Sequence, residues 1–112
     1  MNKKDKILVT GASGFIGSRL VKMLYDNGYT NIRTTSYSRD LRDDYKWKTE
    51  HIIGNLQDAD FCEKVSKDVD VVFHAAANTS NALDTKVNPL LHVTPNVEMN
   101  VNLMEQSWRN KV

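Results

Sequence analysis

The chain has 112 residues, with 15 Lys and Arg against 14 Asp and Glu, for a formal net charge of +1. That length fits one domain with a real core, and the near-neutral balance gives no electrostatic case for nucleic acid or an anionic membrane as partner. Hydrophobic residues make up 40% and charged residues 26%, as in ordinary globular proteins, and the single cysteine, Cys62, excludes an internal disulfide and suits a reducing cytoplasm.

Behind a lysine-bearing N-terminus, the apolar run Ile7 to Val9 is too short for a signal-peptide core, and no window reaches transmembrane length. Residues 6–10 read as a buried strand. Residues 15–27 read as a helix with Ile16, Leu20, Met23 and Leu24 on one face, at i, i+4, i+7 and i+8, and with Gly28 as its stop. Asn31 to Tyr37 read as a second strand, β-branched and moderately exposed, and residues 39–48 as charged surface. His51-Ile52-Ile53 form a short third strand ending at Gly54. Residues 58–67 form a short helix with Phe61, Cys62 and Val65 inward. Residues 69–76 form a fourth strand, whose Val71-Val72-Phe73 run implies burial on both faces. Residues 78–95, with Pro89 and Pro95, are polar and irregular, and connections of that length are often functional. A last helix, 96–110, carries the stripe Val97, Val101, Met104 and Trp108, expected in the core or at an interface. Strands alternating with helices predict an α/β, doubly wound parallel sheet in the order 3-2-1-4.

The first strand runs straight into Gly11-Ala12-Ser13-Gly14-Phe15-Ile16-Gly17. Strand, tight turn and helix N-terminus bring backbone N–H groups and the positive end of a helix dipole to one point, which suits a phosphate. One glycine makes the turn, one lets a diphosphate reach the backbone, and one lets helix pack on strand. A P-loop is excluded, because Ser18-Arg19 follows Gly17 in place of Gly-Lys-Ser/Thr. His74 reads as a strand-end histidine rather than a catalytic group. Cys62 reads as packing, and His51 and His92 have no metal-ligand spacing with either.

The stretch Val9 to Ser18 resembles the N-terminal fingerprint of the extended short-chain dehydrogenase/reductases, the NAD-dependent epimerase/dehydratase family. The resemblance continues through Gly54-Asn55-Leu56-Gln57-Asp58, Val71 to Ala77, and Asn96-Val97 with Asn102-Leu103-Met104-Glu105. Met99 and Asn100 stand where the family has Gly and Thr, and Asn55 stands where it usually has Asp. The resemblance implies a Rossmann fold. In it Gly11, Gly14 and Gly17 would hold the cofactor diphosphate, with Phe15 and Ile16 beside the turn. Asn55 and Leu56 would touch the adenine; the Asn55 side chain keeps an acceptor oxygen for the adenine amino group. Ala75, Ala76 and Ala77 would floor the nicotinamide ribose. In the same family the helix at 96–110 often joins a dimer interface, so a homo-oligomer is an expected partner.

Cofactor choice turns on the end of the second strand, where NAD enzymes of the family place a carboxylate on the ribose hydroxyls. Ser36 holds that position, followed by Tyr37, Ser38 and Arg39. Arg39 can pair with the 2′-phosphate of NADP, which a carboxylate would repel, so NADP is expected over NAD. The alternative has Arg39 as a solvated charge and Asp40 in the acid's place. The family's chemistry also needs a Tyr-x-x-x-Lys pair. Four residues after Tyr25, Tyr29, Tyr37 and Tyr45 stand Tyr29, Arg33, Leu41 and Thr49, and none is lysine. The expectation is therefore the NAD(P)-binding part of a sugar-nucleotide epimerase, dehydratase or reductase, inactive by itself, with the fifth strand and the substrate domain beyond Val112. A nucleotide sugar is the expected substrate of the whole, and Asn78 to Asn81 read either as a contact to it or as a solvated polar loop. The alternative is a non-catalytic dinucleotide-binding module or partner subunit.

Overall fold

The computed structural model describes residues 1–41, 48–79 and 82–112. Most of the charged 39–48 segment, Tyr45 included, and Ser80 and Asn81 of the polar loop lie outside the described residues. The elements run β1 (Ile7–Thr10), α1 (Phe15–Asp26), β2 (Ile32–Ser36), β3 (Glu50–Ile53), α2 (Ala59–Ser66), β4 (Val71–His74), α3 (Ala82–Val87) and α4 (Thr94–Arg109). All strand pairs are parallel and the sheet order is β3-β2-β1-β4, the expected 3-2-1-4.

The period-two alternation of β1 divides the core. Ile7 and Val9 pack with Val21 and Leu24 of α1, Ile32 and Leu41. Leu8 points the other way, into Leu56, Cys62, Val65, Val69 and Leu103. Helix α1 thus covers one face, and α2 with α4 the other. Each fully buried Ile, Leu or Val contributes about 1.5–3 kcal/mol, more than an exposed ion pair such as Lys22–Asp26 at about 0–1 kcal/mol. Burial around β1 therefore dominates the fold. Cys62 is part of this packing: its side chain is fully buried, and burial pushes its thiol pKa up to about 11, so it stays protonated at neutral pH.

Helix α1 ends as Gly28 predicts, with Gly28 N–H donating to Tyr25 O and Tyr29 N–H to Leu24 O, both at 3.0 Å. Its inner face differs from the expected one. Gly17, Val21 and Leu24 are buried, whereas Ile16 and Met23 are 71% and 63% exposed. The rotation is set by Gly17, which lies against the Gly11 backbone and carries Val21 and Leu24 inward with it.

Strand β2 is fully buried rather than moderately exposed. Its polar side chains are hidden because partners from distant segments meet them. Arg33 donates to the Glu50 carboxylate and, through Nη1, to Val65 O at 2.7 Å and Lys67 O at 2.8 Å. Strand β4 is half-buried rather than covered on both faces; among the described residues it pairs with β1 alone. The 78–95 segment contains α3, so it is less irregular than its polarity implies; the described residues of α3 are all exposed.

Helix α4 turns its Leu103 inward, not the Val97 stripe. Asn102 Nδ2 donates to Gln57 O at 2.8 Å, and Asn110 Nδ2 to Glu63 O at 3.0 Å and Ser66 Oγ at 2.8 Å. These anchors fix the helix on α2 and on the turn before it. They leave Val97, Val101, Met104 and Trp108 between 53% and 80% exposed, on the outer surface. Among the described residues no helix is long and apolar enough to cross a membrane.

Candidate cofactor site

The strands of a parallel sheet all end on one side, and the ligand crevice forms there, where neighbouring connections diverge to opposite faces. In this chain that point lies between β1 and β4. A cleft of about 490 Å³ opens there, lined by Gly11, Gly14, Ser36, Arg39, Asn55, Leu56 and Ala75 to Ala77, with Thr35, Pro95 and Met99 among the other walls. The fold therefore brings together nine of the twelve residues that the sequence singles out. Of the other three, Gly17 is buried beneath the turn, Phe15 lines an adjoining groove, and Ile16 lines neither.

The turn is built from backbone constraints. Gly11 has φ +67°, and a Cβ there would fall 2.7 Å from the Ala76 backbone. A Cβ on Gly17 would fall 2.1 Å from Gly11 O. The turn thus presses on Ala75-Ala76 on one side and on its own helix on the other. Ala12 N–H donates to Thr35 O at 2.9 Å and ties the turn to β2. Gly14 stands at the N-cap of α1, which has no side-chain cap and no acidic residue in its first turn. The N-terminal N–H groups and the positive dipole end are left for an anion.

Under the floor, Thr10 and His74 share a 2.7 Å hydrogen bond between Oγ1 and Nδ1, and His74 Nε2 lies 2.7 Å from Asn100 Oδ1. Ala76 N–H donates to Thr10 Oγ1 at 3.2 Å. His74 is thereby a strut for the Ala75–Ala77 segment. Asn55 Oδ1 accepts from Gln57 N–H at 2.9 Å, which leaves its second lone pair for a ligand. Asn78 spends its side-chain amide on Leu91 O at 3.0 Å, and Asn96 bridges back to Asn78 N–H and O. Asn78 lines the cleft, but its side-chain amide already braces the 91–96 connection. Among the described residues no group of His, Cys, Asp and Glu comes together as a metal site.

A second depression of about 460 Å³ adjoins the cleft and shares Ser13, Gly14 and Arg39 with it. Arg19 and Lys22 of α1 and the ring of Phe15 form its other side. Arg19 stacks on Phe15, 4.4 Å from the ring centroid, which favours one guanidinium orientation. Arg19 and Lys22 are missed by a motif reading; their i, i+3 spacing just past the glycine turn is the signal that places them on one helix face. Met99 is missed as a cleft residue because it reads only as a departure from the family pattern.

The NAD dependent epimerase/dehydratase family matches residues 7–112, and the chain belongs to that family. A putative UDP-glucose 4-epimerase of Methanocaldococcus jannaschii is 36% identical over 100 residues, 88% of this chain and 32% of its own length. The structure of UDP-glucose 4-epimerase from Thermotoga maritima, solved with UDP-glucose, superposes with a TM-score of 0.78 at 27% identity, over 95% of this chain and 35% of that one. The dTDP-glucose 4,6-dehydratase DesIV of Streptomyces venezuelae, solved with NAD bound, gives a TM-score of 0.78 over 95% of this chain and 36% of its own, at 21% identity, a likeness of fold alone. The chain spans about a third of the length of these relatives.

Proposed function

We propose that these residues bind a nicotinamide dinucleotide, NADP in preference to NAD, within an oxidoreductase that acts on a nucleotide sugar. The observation that carries the reading is the glycine turn facing an uncapped helix N-terminus at the mouth of the cleft. The turn would take the diphosphate, Asn55 and Leu56 the adenine, and Ala75 to Ala77 the nicotinamide ribose. The cofactor supplies hydride acceptance and return. These residues bind and orient it, and the small alanines let its ring approach the sheet. No Tyr-x-x-x-Lys occurs among the 112 residues, so a proton-transfer pair of that kind would come from outside them.

The preference for NADP rests on Arg39, which lies at the junction of the cleft and the cationic groove, beside Arg19 and Lys22. Asp40, the alternative carboxylate, lines neither. Arg39→Ala is expected to weaken NADP binding by about 1.5–3 kcal/mol, the worth of a charged hydrogen bond, or roughly ten- to a hundredfold. NAD affinity should barely change. Titration calorimetry checks this, and equal losses for both cofactors would instead mark a folding defect. The exposed Val97, Val101, Met104 and Trp108 stripe supports self-association as part of the same reading.

A further inference from the structure

A side chain of β2 closes the turn that carries Arg39: Ser36 Oγ donates to Arg39 O. A serine hydroxyl has one proton, and this bond uses it. His51 Nε2 lies 3.1 Å from the same Ser36 Oγ. That nitrogen must therefore be the donor, whichever protonation state the ring adopts. On its other side, His51 Nδ1 lies 2.8 Å from Thr34 Oγ1, and Thr34 Oγ1 lies 3.1 Å from Thr49 Oγ1. Thr34 and Ser36 are 0% and 3% exposed, and Thr34 pairs directly with His51 across the β2–β3 register. These hydroxyls are thus shielded from water, and the chain Thr49, Thr34, His51, Ser36, Arg39 O is held by groups of the protein.

Ser36 lines the cleft, yet its proton is spent on the turn and is not free to donate to a ribose. It serves as a brace. We propose that His51 is a positioning residue for cofactor choice: through Ser36 it fixes the 36–39 turn and so sets Arg39 at the mouth of the cleft. This rests on the reading that Arg39 meets the 2′-phosphate. His51 itself touches no cofactor; it acts from behind the sheet edge, through one hydrogen bond to Ser36.

The test measures dissociation constants for NADP and NAD with the protein in its natural length, in parallel with thermal unfolding. His51→Phe keeps a ring but has no N–H. It is expected to lower the NADP-over-NAD preference by about tenfold, with NAD affinity retained. His51→Gln places an amide N–H about as far from Cα as Nε2 and should restore most of the preference. On an Arg39→Ala background, His51→Phe should change the preference no further, because both act through one group. A parallel loss of both cofactors in His51→Phe, or an unchanged preference, overturns the role of His51 while leaving the NADP reading intact. An unsubstituted protein that binds NADP no better than NAD overturns the NADP reading and this inference together.

Discussion

Gly17→Ala is expected to cost about 3 kcal/mol of stability or more and to abolish cofactor binding with it. The added Cβ would sit 2.1 Å from Gly11 O and 2.7 Å from Gly11 C. Both are backbone atoms of a turn already pressed against Ala76, so no side chain can rotate away. Overpacking costs about 1–3 kcal/mol even where neighbours can shift, and a domain has only about 5–15 kcal/mol in all. Gly14 makes the instructive contrast. A Cβ there meets Gly11 O at 3.3 Å, a contact that a small shift relieves. Gly14→Val should therefore fold with a modest loss but, on the proposed reading, bind dinucleotide poorly, because the side chain would stand where that reading puts the diphosphate. Urea denaturation and calorimetry on the two variants separate the effects. A Gly17→Ala protein with unchanged midpoint and affinity would contradict the packing described for the turn.

Arg33→Met is the second large effect, and it lies far from the cleft. Methionine keeps much of the apolar stem but abandons Val65 O and Lys67 O at the end of α2. An unsatisfied buried carbonyl costs about 1–3 kcal/mol, so a loss of about 3 kcal/mol is expected. Glu50 adds little to that figure, because its side chain is about half exposed. It does add a pH signature. The Arg33 hydrogen bond, and then that of Lys6, hold the Glu50 carboxyl below its ordinary value of 4.5. A carboxylate of lowered pKa stabilises the fold above its unfolded value, and the contribution disappears as pH falls through the folded one. The variant should therefore lose less stability than the parent on going from neutral pH to below 4.5. Denaturation midpoints at neutral and acid pH check both parts, and an unchanged neutral midpoint would contradict the capping role of Arg33.

The features legible in the sequence are those written into the backbone. The Gly11-x-x-Gly14-x-x-Gly17 turn, the alternating strands and the small Ala75-Ala76-Ala77 run admit few other structures, and they locate the cleft. Helix faces are less legible. An apolar stripe shows that a helix has an inner side, but not how the helix is rotated on its neighbours. Gly17 sets the rotation of α1, and Asn102 and Asn110 set that of α4, so Ile16, Met23 and the Val97 stripe end up outside. Burial of β2 is hidden for a different reason. Arg33, Thr34 and Ser36 look like surface residues until Glu50, Val65 O and His51 arrive from elsewhere in the chain. The brace behind Arg39 is invisible for the same reason, since it exists only when β2 and β3 lie side by side.

On the proposed reading, the glycine turn and its alanine floor hold a nicotinamide dinucleotide, NADP before NAD. Titration calorimetry with NADP and NAD, in the same buffer and at the same ionic strength, tests it most directly. Saturable binding of both, with NADP about tenfold or more the tighter, is the predicted result. No binding by a folded protein, or NAD the tighter ligand, would contradict it.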